Sequence, residues 1–349
     1  MTRAPLQLEG TVSRKHAVAI SAAVVLAGIG AGVVPTTSSA DSILYSKGGR
    51  LLVASPSGKG QHRIPHSRGL ENPSQDDKGR IVAQKGINLY RLSRRGKRLN
   101  KPITTAFRTS PVLTSFKGPF FPEVSPNGKL IAYTYSFTES HFDPGCQCVS
   151  NAPSLNTAYT YSNRFVSDPD KKFGHMRFYY RGSWMGNKSF VATTPNLYDY
   201  AGNVLDTVAV DPLGGGADSY KGWFTECTDC SSVQTLQKYP LDEAELTRKS
   251  DKAVFVAGDL NATQAGSMLF VYPLAAPPTA VPPHFCRITG PNGKFTSPSW
   301  SPDGKRFAWA DRSGIWVGTL GNLAGNDCEV SKKLLIRGGS TPDWGPARP

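Results

Sequence analysis

The sequence predicts an all-β protein: a six-bladed β-propeller closed by pairing of its C-terminal strand with its N-terminal hairpin. Three observations carry this prediction: a repeated turn followed by an alternating apolar strand, a spacing near 50 residues between repeats, and one repeat unit divided between the chain ends. The chain has 349 residues, 39% of them hydrophobic, which is enough apolar material for a large core. A two-sheet β-sandwich is the competing architecture.

The first 40 residues have the features of an export signal. Arg14 and Lys15 precede an apolar run over residues 17–34, and small residues lead up to Ala40. This pattern is typical of a secretory signal peptide. We therefore predict a signal peptide over residues 1–40 and a secreted, extracellular chain over residues 41–349. The alternative is an uncleaved anchor on the outer face of the cell membrane, because 18 apolar residues are near the lower limit for crossing a bilayer.

The repeat is clearest in residues 297–320 and 120–136, where Ser-Pro-Asp/Asn-Gly precedes alternating apolar residues. This tetrapeptide suits a type I turn, and the alternation that follows predicts a β-strand. Weaker copies begin at Glu71, Gly182 and Glu245, which makes five units.

A basic residue follows each turn, and its positions measure the size of each unit. These residues are Arg80, Lys129, Lys188, Lys252 and Lys305, at spacings of 49, 59, 64 and 53. The two longest spacings predict enlarged insertions in blades 3 and 4.

The sixth unit is divided between the two ends of the chain. Residues 42–55 match the second and third strands of the repeat but lack a first strand, whereas residues 341–346 align with the first strand at 297–302. Pairing the two fragments would remove the unpaired edges of the first and last blades. Residues 41–349 then divide into six units of about 51 residues, close to known four-strand blade repeats.

The segment Trp300–Trp309, WSPDGKRFAW, resembles the WD40-like propeller repeat of the TolB family of exported proteins. The resemblance implies an exported propeller, here without the N-terminal α/β domain that TolB carries. It also implies a role in envelope complexes through protein contacts across the propeller mouth. It assigns no functional residue, because the repeat motif is structural.

Six cysteines suggest disulfide bonds outside the cytosol. A bond between Cys146 and Cys148 would close a very small ring, so we expect these two to pair with Cys227 and Cys230, and Cys286 to pair with Cys328. The alternative for the first four is a zinc site, with His141 nearby.

Aromatic residues gather in the predicted insertions of blades 3 and 4. The candidate binding surface taken from them comprises Phe142, Tyr159, Tyr161, Tyr198 and Trp223. Long loops on a rigid scaffold often carry binding residues, and aromatic side chains often anchor partners. The alternative is that these aromatics form a small core for the insertions themselves.

A second candidate surface is basic. Arg91, Arg94, Arg95, Lys97 and Arg98 lie close together in sequence with no acidic residue among them. A hairpin around Ser93–Gly96 would present several of them together, which suits contact with a polyanion. The alternative is a solubilising sheet edge that prevents association between sheets.

No catalytic motif is visible in the sequence, so we predict no catalytic residue, no cofactor and no metal site. The leading hypothesis is an exported, non-catalytic binding module whose partner is a protein or a cell-envelope polymer. We predict no nucleic-acid partner, and membrane contact only through an uncleaved N-terminal segment. The alternative is an exported lyase or hydrolase acting on a carbohydrate or lactone at the central channel. An enzyme should gather His, Asp or Glu from different blades at the channel, whereas a binding module should present an apolar or aromatic patch.

Overall fold

The computed structural model describes residues 41–105, 115–143, 145, 148–165, 173–195, 206–216, 219–223, 241–258, 267–274, 286–289, 294–321 and 330–349. The predicted signal peptide lies outside these residues and stays a prediction. Within the described residues, no helix is long and apolar enough to cross a membrane.

The described chain forms six antiparallel sheets arranged as the blades of a β-propeller, which confirms the predicted fold class. Each blade is named here from its innermost strand outward. Blade 1 contains β23 (Ser340–Gly345), β1 (Ser42–Lys47), β2 (Arg50–Ala54) and β3 (His62–Arg63); blade 2 contains β4 (Glu71–Gln75), β5 (Ile81–Lys85), β6 (Asn88–Leu92) and β7 (Ile103–Thr104); blade 3 contains β8 (Ser115–Val124), β9 (Leu130–Asp143) and β10 (Cys148–Tyr161). Blade 4 contains β11 (Tyr180–Met185), β12 (Ser189–Thr193), β13 (Val208–Asp211) and β14 (Lys221–Gly222); blade 5 contains β15 (Leu241–Leu246), β16 (Lys252–Gly258), β17 (Ser267–Pro273) and β18 (Cys286–Ile288); blade 6 contains β19 (Thr296–Trp300), β20 (Arg306–Asp311), β21 (Gly314–Leu320) and β22 (Val330–Arg337).

Blade 1 combines the two ends of the described chain. Strand β23 pairs antiparallel with β1, with Trp344 opposite Ile43 and Gly345 opposite Ser42. The indole N–H of Trp344 donates to Asp41 Oδ2 at 3.0 Å, and its ring is only 3% exposed. The last strand of the chain therefore supplies the innermost strand of the first blade.

Among the described residues the core consists of six apolar clusters, each between two neighbouring blades. This location follows from the strand pattern, because residues on both faces of a blade are covered by the adjacent blades. In β16, for example, Phe255 faces the cluster shared with blade 4, whereas Val254 and Val256 face the cluster shared with blade 6. The alternating apolar strands thus hold the six sheets around one axis.

The repeated tetrapeptides form the predicted turns between the first and second strands. In blade 3 the Gly128 N–H donates to the Ser125 carbonyl at 2.7 Å, and in blade 6 the Gly304 N–H donates to the Ser301 carbonyl at 2.8 Å. Both glycines have φ near +70°, a conformation that glycine adopts without a side-chain clash. Strands β9 and β10 have 14 residues each, so blade 3 extends as a long hairpin.

Candidate functional site

The six innermost strands surround a central channel, and each of them carries the same local distortion. One non-glycine residue per strand is left-handed, with φ between 46° and 50°, and the pairing register shifts beside it. These residues, which we call the left-handed ring, are Asn72, Phe121, Arg181, Glu243, Ser297 and Thr341. They line a cavity of about 70 Å³ at the end of the channel that we call the front mouth.

The left-handed ring is unusual because none of its six residues is glycine, the residue that this conformation favours. A non-glycine residue in this region costs about 1 kcal/mol or more, and such strain is concentrated at ligand-binding and active sites. Six positions at equivalent places converge on one mouth and carry six different side chains. The backbone therefore repeats, whereas the chemistry that it presents does not.

One level below, two residues further along each innermost strand, acids alternate with serines around the channel. This acid–serine ring runs Asp343, Ser74, Glu123, Ser183, Glu245 and Ser299 in blade order 1 to 6. Each serine hydroxyl bridges to the following blade. Ser74 Oγ donates to Glu123 Oε2 at 2.9 Å and accepts the Val124 N–H at 3.1 Å.

The same bridge recurs at the other two serines. Ser183 hydrogen-bonds to the Glu245 carboxylate and accepts the backbone N–H of Leu246 at 3.2 Å. Ser299 Oγ donates to Asp343 Oδ1 at 3.5 Å and accepts the Trp344 N–H at 2.9 Å.

The remaining three blade junctions are closed by a side-chain N–H that donates to the carbonyl of the acid. The indole of Trp184 donates to the Glu123 carbonyl at 2.9 Å, and the indole of Trp300 to the Glu245 carbonyl at 3.1 Å. Gln75 Nε2 donates to the Asp343 carbonyl at 2.7 Å. All six junctions at this level are therefore hydrogen-bonded, and two kinds of contact alternate around the channel.

The channel raises the pKa of its acids. Burial raises the pKa values of Glu123, Glu245 and Asp343, and the charge of Asp343 raises those of the other two further. The positive charge of Arg248, at the opposite end of the channel, partly offsets these effects. Three carboxyl groups from three blades thus share a site that disfavours their ionisation.

An ion-pair network lies in the front mouth. The Arg181 guanidinium pairs with Glu243 Oε1 and, at 3.3 Å, with Asp242 Oδ2, and its Cζ lies 4.0 Å from the ring centroid of Phe121. Glu243 Oε2 also accepts the Ser297 N–H. Burial raises the pKa of Glu243 to about 7 despite the neighbouring guanidinium. The front mouth therefore combines a cation, carboxyl groups and one aromatic ring.

The other end of the channel, the turn mouth, opens between the turns that join first and second strands. Its cavity is about 560 Å³, and its lining includes Pro126, Pro302, Pro346 and Arg248. Arg248 pairs with Asp77 at 2.9 Å. The two mouths differ in size and in charge.

The predicted aromatic binding surface is wrong for two of its five residues. Tyr159 is fully buried, with its ring centroid 5.8 Å from that of Phe190, and Trp223 is 1% exposed in the cluster between blades 4 and 5. Both are core residues. Tyr159 lies in β10 and packs in the cluster between blades 3 and 4, whereas Trp223 follows β14 and packs in the cluster between blades 4 and 5. Tyr161 is half-buried, with Arg164 Cζ 4.7 Å from its ring centroid.

The other two aromatic candidates cannot be placed on a surface. Phe142 belongs to β9, but its side chain lies outside the described part of the structure, as does the whole of Tyr198. The structure therefore does not bring the five aromatic candidates together into one described surface.

The basic cluster forms the predicted hairpin turn, with the Gly96 N–H donating to the Ser93 carbonyl at 2.8 Å. Arg95, Lys97 and Arg98 are exposed. Arg91 and Arg94 are partly buried: Arg91 donates to the Gly128 carbonyl at 3.1 Å, and Arg94 donates to the Pro349 carbonyl.

Of the six cysteines, Cys286 at the start of β18 is disulfide-bonded. Cys148 begins β10, but its side chain is not described, and the remaining four cysteines lie outside the described residues. The expected pairing of Cys286 with Cys328, and the disulfide or zinc alternatives for the other four, stay predictions. The described residues contain no group of three or more His, Cys, Asp or Glu side chains arranged to hold a metal ion.

The structure resembles several solved propellers. TolB from Acinetobacter baumannii aligns over 87% of this chain and 66% of its own, with 14% identity and a TM-score of 0.51. A candidate TolB from Agrobacterium tumefaciens aligns over 86% of this chain and 91% of its own, with 14% identity and a TM-score of 0.44. An oligogalacturonate lyase in complex with manganese aligns over 77% of this chain and 68% of its own, with 7% identity and a TM-score of 0.41.

By sequence, no protein-family profile matches, and no curated protein is significantly similar. The chain is thus a six-bladed β-propeller whose fold is similar to that of TolB, as the WD40-like repeat predicted. The comparison defines the fold and assigns no activity.

Proposed function

We propose that this chain is an exported, non-catalytic binding module that engages a partner protein at its front mouth. The left-handed ring carries this proposal: six strained positions, one from each blade, present six different side chains to one opening. Strain of this kind is maintained where a surface must be preorganised for a partner. The TolB-like fold supports the class of protein, and export rests on the predicted signal peptide.

The size of the front mouth supports a binding role. A cavity of about 70 Å³ is far below the roughly 300–1,000 Å³ of typical small-molecule sites. A partner would insert one side chain there and contact the rim with the rest of its surface. Phe121 and Arg181, which lie against each other in the mouth, are the residue types enriched at protein interfaces.

The acid–serine ring beneath the mouth fits this role, because its carboxyl groups already have partners. Each accepts a hydrogen bond from the serine of the preceding blade, and Asp343 also accepts the backbone N–H of Gln75. These bonds tie the blades together, so the ring supports the mouth structurally.

Site-specific photocrosslinking tests the proposal. A photoreactive phenylalanine analogue replaces Phe121 in cells that produce the protein, and the same analogue replaces Leu99 as a control. Leu99 is 41% exposed and lies away from the front mouth. We expect a discrete protein adduct from position 121 alone, and its loss in the Arg181→Ala variant. No adduct from position 121, or the same adducts from both positions, would contradict the proposal.

A second candidate function is an exported lyase or hydrolase acting on a carbohydrate or lactone. The observation that favours it is the set of raised carboxyl pKa values contributed by several blades, since a carboxyl group protonated near neutral pH can act as a general acid. It predicts turnover of lactones or uronate-containing oligosaccharides by the wild type that Glu245→Gln abolishes. Turnover that Glu245→Gln leaves unchanged would remove the channel from consideration as the active site.

A further inference from the structure

The turns around the turn mouth form one continuous face, which we call the turn face. The Asp77 N–H donates to the Pro126 carbonyl at 3.0 Å, and the Asn127 N–H donates to Asn187 Oδ1 at 2.9 Å, so the turns of blades 2, 3 and 4 contact one another. The pair between Arg248 and Asp77 joins blade 5 to blade 2 across the opening.

The basic hairpin extends the turn face. Arg94 contacts the C-terminal residue Pro349 and lies beside the turn glycine Gly79. The hairpin that contains Arg95 and Lys97 therefore continues the rim of the turn mouth, and Arg348 lies close enough for its charge to act on Arg94. The hairpin is separate from the other turns in sequence, but in the structure it adjoins them through Pro349 and Gly79.

Exposed basic side chains predominate on the turn face. They are Lys78, Arg95, Lys97, Lys129, Lys188, Arg248, Lys249, Lys305 and Arg348. The exposed acids within the described turns are Asp77, Asp251 and Asp303, and all three already have partners. Asp77 pairs with Arg248, Asp251 pairs with Lys252, and Asp303 accepts the Ser301 hydroxyl.

The guanidinium groups are crowded against like charges. Burial and the charges of Arg95 and Arg348 lower the pKa of Arg94, and burial and the charge of Arg80 lower the pKa of Arg91. Like charges held this close raise the energy of the unbound face, and a polyanion would relieve that repulsion.

We propose that the turn face binds a linear phosphate-bearing polyanion along its basic rim. The charges are spread over the turns of several blades and the hairpin, so they match a chain of phosphates better than one compact anion. We infer that the phosphates are the recognised groups, because Trp184, the aromatic residue in the described lining of this mouth, is 6% exposed and its indole N–H already donates to the Glu123 carbonyl. A base-stacking surface would need exposed aromatic rings.

The shape of the face favours a polymer over a membrane surface. Proteins that dock on lipid insert apolar side chains into the interface. Among the described residues the exposed large hydrophobic side chains are Ile87 and Leu99, and neither lines the turn mouth. Leu99 follows Arg98 in the basic hairpin, and one apolar side chain among several cations is too little for insertion into lipid. The apolar groups at the opening, the three prolines, instead line a recess of about 560 Å³.

The test uses the full chain and long-chain inorganic polyphosphate as the probe, with affinity measured over a series of salt concentrations. The Arg95→Glu/Lys97→Glu variant reverses two exposed charges in the hairpin of the turn face. The matched control, Lys47→Glu/Arg50→Glu, reverses two exposed charges in the hairpin between β1 and β2, at the opposite end of blade 1. Both variants change the net charge equally, and intrinsic tryptophan fluorescence checks that both are folded.

We expect the turn-face variant to lose about tenfold or more in affinity and to reduce the slope of log K against log[salt] by about one to two. The control should change affinity less than threefold. Absence of wild-type binding, or equal losses in both variants, would overturn the proposal. Wild-type binding to vesicles containing phosphatidylglycerol, without binding to polyphosphate, would overturn it in favour of a membrane-docking face.

Discussion

The carboxyl group of Glu243 predicts a specific dependence of stability on pH. Its side chain is 12% exposed in the front mouth, and burial raises its pKa from an ordinary value of 4.5 to about 7. Because the folded state holds the proton more tightly than the unfolded state, the contribution of Glu243 to stability is fully present below pH 4.5. This contribution is lost as the pH rises through 7. Replacing Glu243 with Gln removes the titration and leaves a group of similar shape.

The magnitude follows from the size of the shift. A change of one pKa unit corresponds to 1.36 kcal/mol, so a shift from 4.5 to about 7 corresponds to about 3 kcal/mol between pH 4 and pH 8. The variant also loses its ion pair with Arg181, which Asp242 retains at 3.3 Å. The free energy of unfolding of Glu243→Gln can therefore be higher or lower than that of the wild type. The quantity to measure is how the difference between the two proteins changes with pH.

The assay is denaturant unfolding of both proteins at several pH values from 4 to 8, followed by tryptophan fluorescence. The stability of Glu243→Gln relative to the wild type should rise by about 3 kcal/mol over this range. The matched control is Glu71→Gln, because Glu71 is exposed at the start of β4. A relative stability that stays constant with pH would show that pairing with Arg181 cancels the effect of burial at Glu243, and one that falls as pH rises would show that pairing outweighs burial.

Two further predictions concern the contacts that hold the ring together. Trp344→Ala should lower the free energy of unfolding by about 3–5 kcal/mol, because the residue is only 3% exposed. Trp300→Ala, at the equivalent position of blade 6, should cost about as much for the same reason. A loss below about 1 kcal/mol at Trp344 alone would show that β23 does not close blade 1. Ser74→Ala should cost about 1–3 kcal/mol in the same assay, because it removes a hydrogen-bond partner from both the Glu123 carboxyl and the Val124 N–H. Ser57→Ala, in an exposed turn, is the control and should change stability by less than about 0.5 kcal/mol. Equal effects of the two substitutions would argue against the bridging role of Ser74.

The sequence predicted the fold well because its signal is local and repeated. The turns at Ser125–Gly128 and Ser301–Gly304 and the strands that follow them can be identified from a few adjacent residues. The alignment of residues 341–346 with 297–302 matches Trp344 to Trp300, and both residues are buried. These features depend on short-range backbone chemistry, which a single sequence displays directly.

The candidate site was not predictable in the same way. The left-handed ring lacks glycine, and at Asn72, Phe121, Ser297 and Thr341 the next residue is proline, which usually favours an extended conformation before it. Each left-handed residue coincides with a shift in register against the second strand of its blade, a pairing that adjacent residues do not reveal. The acid–serine ring is equally hidden, because successive members are separated by 44 to 62 residues in sequence and come together only when the six blades close.

For two aromatic residues the sequence predicted a binding surface where the structure has core. Tyr159 and Trp223 were assigned to a binding surface because they lie in long spacings between repeats. The segment Thr157–Tyr161, TAYTY, is nevertheless rich in β-branched and aromatic residues, and that composition was the available signal for a strand that buries Tyr159. The length of a repeat unit shows that residues have been added, whereas their composition indicates whether they add to a strand or to a loop.

The alternation of acids and serines explains how one channel can be both rigid and acidic. A carboxylate at this position in all six blades would bring six negative charges together. A serine at this position in all six blades would leave the blade junctions without strong hydrogen-bond acceptors. Alternation gives each acid a hydroxyl donor and separates neighbouring acids by one blade. Because these acids serve as acceptors for the junctions, we propose that recognition takes place at the left-handed ring above them, where no two side chains are alike. The basic residues then remain for the turn face, so the protein presents two surfaces of different charge at the two ends of one channel.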